Sequence, residues 1–208
     1  MATNGASVNE TAFCFDLDGT LTTTEILPCI AAELGISEEI DTLTRLTMNG
    51  LIPFNDSMRL RTLILGQVPL PRVHEIMASI PLAHSLIDFI RGNANRCFVI
   101  TGNLDVWIEP IIQQLGCKAY SSHAVFVDNK LQLQSILEKD NAVRELRSTG
   151  RFNRIVAVGD GANDVAMLQS ADLGIAYGGV HPPAALTIQA ANLVIHDVEA
   201  LCKLLKAL

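Results

Sequence analysis

The chain has 208 residues, of which 49% are hydrophobic and 18% are charged, and its formal net charge is −7. This length and composition can bury one sizeable core, and the acidic balance argues against a surface for nucleic acid or anionic membrane. No apolar run approaches the roughly 18 to 20 residues that span a bilayer. The five cysteines show no CxxC spacing, which favours reduced thiols. We therefore expect a cytoplasmic protein, with residues 1–10 as a flexible leader rather than a secretory signal.

The first apolar run, "AFCF" at residues 12–15, is short, continuous and aromatic, which is typical of a strand buried on both faces. Residues 25–80 follow it and hold several helical patterns and no clear strand. One of these patterns opens at Ser37, which we interpret as its N-cap, and ends near Gly50. A helical block after a single strand predicts a small cap inserted into an α/β domain.

After the helical block, apolar runs alternate with helical patterns. Further buried strands are predicted at "CFVI" (97–100), "IVAV" (155–158), "LGIAY" (173–177) and "NLVIH" (192–196), and "SSHAVFVDNKLQL" predicts a hairpin that turns at "DNK". This alternation predicts a doubly wound, mainly parallel α/β sheet of the Rossmann-like kind. The predicted domains are an α/β core at 11–24 and 81–208 and a helical cap at 25–80.

Polar residues follow the predicted strands, and a doubly wound sheet binds its ligands at the carboxyl ends of its strands. These residues are Asp16 and Asp18 after the first strand, Thr101 and Gly102 after the second, and Asp160 after "IVAVG". Lys139 begins the helix that precedes the "IVAV" strand. Although these residues are far apart in sequence, the predicted fold brings them to one edge of the sheet.

The acids in "FDLDGT" suggest a metal ion. Residues two apart in an extended chain point the same way, so Asp16 and Asp18 can face one site, and Gly19 then allows a sharp turn. With Asp160 they make an oxygen site with few protein ligands, which suits Mg²⁺. A bound cation would also offset the repulsion between the two carboxylates.

Two further motifs carry groups that can hold phosphate or complete the site. In "VGDGAND", Asn163 and Asp164 open a helix, where an acid suits the positive end of the helix dipole. In "VITGN", the hydroxyl of Thr101 and the amide of Gly102 can hold phosphate oxygens, and Lys139 can neutralise them. Taken singly, each piece is also compatible with an ordinary turn, a capped loop or a solvated lysine.

Along the chain, these four segments come in the order "FDLDGT", "VITGN", the helix that begins at Lys139, and "VGDGAND". The four segments in this order resemble the haloacid dehalogenase superfamily. The resemblance implies that Asp16 is a nucleophile that forms an aspartyl-phosphate and that Asp18 is the general acid and base. It also implies that Thr101 and Lys139 bind phosphate and that Asp160 completes a Mg²⁺ site with the two acids. The implied activity is hydrolysis of a phosphomonoester, with Asp164 in a supporting role.

Within that superfamily, the chain resembles the phosphoserine phosphatases from Phe13 onward. The matching positions outside the catalytic motifs are Glu25, Met48, Phe54, Arg61 and Asn163. In that family the glutamate faces the amino group of the substrate and the arginine faces its carboxylate. The resemblance therefore implies that O-phosphoserine, a small phosphorylated metabolite, is the substrate.

Asn103 departs from the Ser-Gly-Gly sequence that the family commonly carries at this loop, so other readings stay open. The first is a phosphatase for another small phosphorylated metabolite, or a phosphomutase of the same superfamily. The phosphorylated domain of a cation pump would carry Lys-Thr-Gly after the nucleophile, where this chain has Leu-Asp-Gly. A non-catalytic binding module would usually lack one of the acids, and none is missing. We expect no nucleic-acid or membrane partner, and a monomer or homodimer.

Overall fold

The computed structural model describes residues 10–208, so the predicted leader, apart from its last residue, lies outside the described residues. Its seven strands are β1 Glu10–Phe15, β2 Cys97–Leu104, β3 Lys118–Val127, β4 Lys130–Ser135, β5 Phe152–Gly159, β6 Leu173–Tyr177 and β7 Leu193–Ile195. They form one sheet in the order β4-β3-β2-β1-β5-β6-β7, parallel except for the β3–β4 pair. The doubly wound, mainly parallel fold is therefore confirmed.

Ten α-helices surround this sheet in the described part of the chain. They are α1 Ile26–Ala31, α2 Ser37–Met48, α3 Phe54–Leu65, α4 Leu70–Ser79, α5 His84–Gly92, α6 Asp105–Leu115, α7 Lys139–Ser148, α8 Val165–Ser170, α9 Ala185–Ala190 and α10 Val198–Ala207. Short 3-10 turns at Ala32–Leu34 and Ala162–Asp164 extend α1 and precede α8. Within residues 10–208, no helix has the length and apolar character needed to cross a membrane.

The central strands are buried on both faces because each strand sends alternate side chains to opposite sides of the sheet. In β1, Phe13 and Phe15 belong to the larger apolar cluster, whereas Ala12 and Cys14 belong to the smaller one on the other face. The ring of Phe13 packs edge-to-face against Phe89 of α5 at 5.1 Å between centroids. This packing holds β1 against α5. Asp16, the first residue of the site, follows directly after the strand.

Helices α1 to α4 lie between β1 and β2 in the chain, in the segment predicted as the cap. Gly35 ends the first helical stretch, because it adopts the left-handed conformation at φ +70° after α1 and its 3-10 turn. The predicted N-cap of α2 is wrong: Ile36 occupies that position. Ser37 is the first helical residue, and its hydroxyl donates to the carbonyl of Pro28 at 3.2 Å.

The predicted hairpin turns at Asp128 and Asn129, both of which have positive φ, 49° and 61°. Such values suit a tight two-residue turn between antiparallel strands. Its first strand is longer than the sequence indicated, because β3 begins at Lys118 and its first half pairs in parallel with β2. The sheet thus has a sixth parallel strand that the apolar runs did not reveal.

Candidate active site

The site is built on a buried ion-pair cluster at the carboxyl ends of β1 and β5. Asp16 follows β1, and its Oδ1 accepts a hydrogen bond from Nζ of Lys139, the first residue of α7. The same ammonium donates to Oδ1 of Asp164 at 2.6 Å. Asp16 and Lys139 are 5% and 4% exposed, so these charges are held largely out of water. Lys139 is therefore a buried cation rather than a solvated helix lysine.

Asp164 is held as an acceptor by the turn around it. Its Oδ2 accepts the backbone N–H groups of Asp160 and Gly161, at 3.0 Å and 2.9 Å. Together with the bond from Lys139, these contacts engage both of its carboxylate oxygens. Asp164 thus fixes the backbone that presents Asp160.

Asp160 leaves one oxygen free inside the site. Its Oδ1 accepts a hydrogen bond from the hydroxyl of Thr20 at 3.0 Å, but its buried Oδ2 accepts none from any residue in the described part of the chain. Nε2 of His181 lies 3.3 Å from that oxygen without a hydrogen bond. A buried carboxylate oxygen without a donor is costly, so this atom calls for a cation or another ligand.

A buried acidic cluster surrounds that free oxygen. Ligand atoms of Asp16, Asp160 and Asp164 all lie within 4.8 Å of one another. The cluster differs from the predicted set, because the carboxylate of Asp18 is turned elsewhere and Asp164 stands in its place. All its donor atoms are oxygens, the ligand type that Mg²⁺ prefers.

Asp18 is held by hydrogen bonds from α1 and from β2. Its Oδ1 accepts the backbone N–H of Ile26 at 2.9 Å, and its Oδ2 accepts a hydrogen bond from Nδ2 of Asn103. Asn103 is itself tied down, since its backbone N–H donates to the hydroxyl of Thr101 at 3.2 Å. The residue that departs from the family pattern therefore orients the second acid.

Burial controls the protonation of both acids. Burial, and then the charge of Asp164, raises the pKa of Asp16, although Lys139 opposes the rise. Burial and the nearby Glu25 raise the pKa of Asp18 to about 7. An acid that titrates near neutrality suits proton transfer in both directions.

The carboxyl-terminal part of β2 brings a backbone amide next to helix α3. Gly102 packs so closely on the ring of Phe54, at the start of α3, that a side chain at position 102 would overlap the ring. Ser122 of β3 donates its hydroxyl to the carbonyl of Gly102 at 2.7 Å, which holds this end of β2 in place. Glycine is therefore required at this position for a steric reason.

Arg61 is a buried cation on α3. It is 4% exposed, and within residues 10–208 no carboxylate lies within 4 Å of its guanidinium. It donates to the hydroxyl of Thr44 at 3.2 Å and to the carbonyl of Ser57 at 3.4 Å. Burial lowers the pKa of Arg61, and Asp18 and Glu25 oppose that shift. A buried guanidinium without a paired acid is suited to an anionic ligand.

Glu25 lies at the start of α1, and its Oε1 accepts a hydrogen bond from Nε2 of His181 at 3.3 Å. This bond raises the pKa of His181, although partial burial opposes the shift. His181 belongs to none of the motifs that predicted the site. The proline pair that follows it in "GGVHPP" was the one signal of an unusual loop.

Most of the predicted site residues line one cavity, which lies between helices α2 and α3 and the carboxyl ends of the strands. Those that line it are Asp16, Asp18, Glu25, Met48, Phe54, Arg61, Thr101, Gly102, Asp160 and Asn163. Lys139 and Asp164 do not line the cavity. Lys139 contacts the carboxylate of Asp16, and Asp164 accepts the backbone N–H of Asp160. The cavity is thus lined by the acids Asp16, Asp18 and Asp160 and also by the cation of Arg61 and the acid Glu25.

Comparison with known proteins agrees with this geometry. A model of the haloacid dehalogenase-like hydrolases matches residues 13–169. Over 175 residues, the chain is 32% identical to the phosphoserine phosphatase of Methanocaldococcus jannaschii, covering 78% of this chain and 83% of that protein. It is 31% identical to the phosphoserine phosphatase SerB2 of Mycobacterium tuberculosis, where the same share of this chain covers only 43% of the relative.

Solved structures show the same likeness. A phosphoserine phosphatase solved as a phospho-aspartyl intermediate analogue superimposes with a TM-score of 0.82 at 27% identity, covering 94% of this chain and 99% of that one. A substrate-bound phosphoserine phosphatase complex gives a TM-score of 0.80 at 28% identity, covering 95% and 97% of the two chains. The similarity therefore extends over helices α1 to α4 as well as the sheet.

Proposed function

The chain belongs to the haloacid dehalogenase-like hydrolases, and we propose that it hydrolyses O-phosphoserine to serine and phosphate. The observation that carries this proposal is the pairing of charges around the cavity: Arg61 and Glu25 line it together with the predicted nucleophile Asp16. Phosphoserine has a carboxylate, an ammonium and a phosphate, and each of these groups finds a complementary side chain. The phosphoserine phosphatases among its relatives support the same substrate.

In the proposed reaction, Asp16 is the nucleophile. Its Oδ1 is held by Lys139, whereas its Oδ2 accepts no hydrogen bond within residues 10–208 and is free to attack phosphorus. Attack forms the aspartyl-phosphate and breaks the bond between phosphorus and the serine oxygen. The ammonium of Lys139, the hydroxyl of Thr101 and the amide of Gly102 stabilise negative charge on the transferring oxygens.

Asp18 moves the protons of both steps. It donates a proton to the departing serine alkoxide, and it then takes a proton from the water that attacks the phosphorus of the aspartyl-phosphate. That attack frees phosphate and restores the carboxylate of Asp16. The hydrogen bonds from Asn103 and Ile26 keep Asp18 aimed into the cavity in both steps.

The buried cluster of Asp16, Asp160 and Asp164 fits a divalent cation. The free Oδ2 of buried Asp160, with oxygens of Asp16 and Asp164 close by, forms a set that would hold Mg²⁺. When bound, the ion would neutralise negative charge on the substrate phosphate and keep Asp16 ionised. Asp164 contributes chiefly by holding the backbone of Asp160, since both of its oxygens already accept hydrogen bonds.

Mg²⁺ should raise the thermal unfolding midpoint of chelator-treated protein. The ion binds the folded acidic cluster and not the unfolded chain, so a hundredfold excess over Kd adds about 2.7 kcal/mol of stability. Scanning calorimetry with and without Mg²⁺ measures this shift. Asp160→Asn should remove most of it, whereas Asp128→Asn, in the exposed hairpin turn, should keep it.

The same samples should be inactive after chelation and recover with Mg²⁺. Ca²⁺ should inhibit, because its larger and looser coordination displaces the reacting groups. Full activity after exhaustive chelation would contradict the metal assignment. An equal stability shift in Asp160→Asn would show that the ion binds elsewhere.

Arg61→Ala should selectively impair turnover of phosphoserine. A charged hydrogen-bonded pair between Arg61 and the substrate carboxylate, once desolvated, contributes a few kcal/mol, which is roughly 10- to 1,000-fold in kcat/KM. An aryl phosphate such as 4-nitrophenyl phosphate has no carboxylate, so its kcat/KM should change little. Steady-state kinetics with both substrates measure the difference.

Arg59→Ala is the matched control, because Arg59 is exposed and lies two positions earlier on the same helix. An equal loss on both substrates would mean that Arg61 only holds the cap together, through Thr44 and Ser57. A strong preference of the wild-type enzyme for another phosphate over phosphoserine would refute the proposed substrate. Asn103→Gly would then be the first variant to test for a shift in preference.

We also propose that the protein acts in the cytoplasm as a monomer or homodimer on a small phosphorylated metabolite. All five cysteines are free thiols, and four of them are buried, which supports a reducing compartment. Size-exclusion chromatography with light scattering would determine the oligomeric state.

A further inference from the structure

The loop between β6 and α9 holds His181 in a fixed position. One end of the loop is anchored by Gly178, whose N–H donates to the carbonyl of Ile195 at 2.8 Å, and the other by Ala184, whose N–H donates to the carbonyl of Asp160 at 2.8 Å. Pro182 follows His181 and restricts its backbone to extended conformations. The short span between the anchors therefore limits where the imidazole can lie.

The ring of His181 packs against the core next to the catalytic acids. A Cβ added to Gly19 would lie 2.6 Å from Nε2 of His181, so the imidazole occupies the space that this glycine leaves. Nδ1 lies 3.3 Å from the carbonyl oxygen of Pro182, and Nε2 lies 3.3 Å from Oε1 of Glu25. The side chain is 30% exposed and borders the cavity that Glu25 shares with Asp41, Arg45 and Met48.

Glu25 depends on this histidine for its orientation. Within residues 10–208, the carboxylate of Glu25 accepts no hydrogen bond except the one from His181. Among those residues, this is also the only side-chain hydrogen bond that joins 25–80 to 159–208. A glutamate side chain has three rotatable bonds, so without a partner it would populate several rotamers.

We propose that His181 is a positioning residue for substrate recognition, which holds the carboxylate of Glu25 toward the cavity so that it can receive the substrate amino group. The inference rests on the proposed function, since it needs a substrate that carries an ammonium beside its phosphate. His181 does not touch the reacting atoms in this role. Its effect passes through Glu25 and is confined to substrates that have the amino group.

The test compares His181→Phe and His181→Gln on two substrates. Phenylalanine keeps a planar ring without an N–H donor, whereas glutamine keeps an N–H donor at a similar reach. The substrates are O-phosphoserine and its des-amino analogue, 3-phosphonooxypropanoate. We expect His181→Phe to lower kcat/KM about 10-fold on phosphoserine, mainly through KM, and not on the analogue. His181→Gln should retain most of the wild-type value.

A double-mutant cycle separates action through Glu25 from a general effect on the fold. In a Glu25→Ala background, His181→Phe should cause no further loss on phosphoserine. His84→Ala serves as the control, because His84 is exposed and does not border the cavity. Additive losses in the cycle would overturn the proposal.

The neighbouring Asp160 offers a rival route, which calorimetric titration with Mg²⁺ tests. An equal loss on both substrates together with weaker Mg²⁺ binding would mean that His181 acts through Asp160, and the proposal would be wrong. If wild type handles both substrates equally, recognition of the amino group fails and the proposed substrate fails with it. If wild type discriminates and His181→Phe still does so to the same degree, only the role of His181 is refuted.

Discussion

Asp16→Asn should lower kcat by on the order of 10⁴-fold or more, because an amide cannot form the aspartyl-phosphate. The substitution keeps the shape of a buried side chain, and Lys139 keeps a carboxylate partner in Asp164. It also removes one of the crowded acids, so we expect the variant to fold. Phosphate release measures the loss of activity, and circular dichroism checks the fold.

Trapping the intermediate tests the same assignment directly. Wild-type protein quenched in acid during turnover should carry one phosphoryl group on the peptide that contains Asp16, detected by mass spectrometry. Asp16→Asn should carry none, and Asp128→Asn should match wild type. Appreciable turnover by purified Asp16→Asn, or a phosphoryl group on another residue, would refute the proposed mechanism.

The sequence was sufficient to predict that Asp16, Thr101 and Asp160 lie close together, because their placement depends only on the topology of the sheet. Strands rich in Val, Ile and Phe are recognisable from sequence, and in a parallel sheet their carboxyl ends meet at one edge. Asp16, Thr101 and Asp160 therefore converge whatever their separation along the chain. The helical segment after β1 could also be predicted, because helical periodicity is a local signal that needs no knowledge of long-range contacts.

The orientation of individual side chains could not be predicted in this way. Asp18 was assigned to the metal site by its spacing from Asp16, but its carboxylate is drawn to the N–H of Ile26 and to Asn103, which lies 85 positions away. Asp164 enters the acidic cluster because Lys139 and two backbone amides fix it there. Which acid joins the cluster with Asp16 and Asp160 depends on these tertiary donors.

Local signals also gave way to tertiary contacts elsewhere in the chain. Ser37 has the residue type of an N-cap, yet its hydroxyl bonds to Pro28 and the helix begins at Ser37 itself. The first half of β3 lacks a continuous apolar run, and only Ser122 among its first five residues is buried. His181 is a lone histidine in a loop, and only the fold places it beside Glu25 and Asp160.

Asp18→Asn should impair the two chemical steps in different ways, and the two substrates should separate them. The first step expels serine alkoxide, a poor leaving group that needs a proton, so phosphorylation of Asp16 by phosphoserine should slow roughly 10²- to 10⁴-fold. The nitrophenolate that leaves from 4-nitrophenyl phosphate needs little help from an acid. Its release should therefore stay fast in the variant.

Hydrolysis of the aspartyl-phosphate still lacks its base in Asp18→Asn, which predicts a burst. With 4-nitrophenyl phosphate, stopped-flow absorbance should show about one equivalent of nitrophenolate per site, followed by slow turnover as phosphorylated Asp16 accumulates. With phosphoserine, release of serine should show no burst, because the first step is then the slow one. The amide that replaces the carboxylate in Asp18→Asn has a single acceptor oxygen for the two donors, Asn103 and the N–H of Ile26. The variant therefore loses at least one hydrogen bond, and its unfolding midpoint must be measured beside the kinetics.

If the first step slows equally on both substrates in folded protein, Asp18 is not the general acid. If no phosphorylated enzyme accumulates although the burst occurs, Asp18 is not the base of the second step.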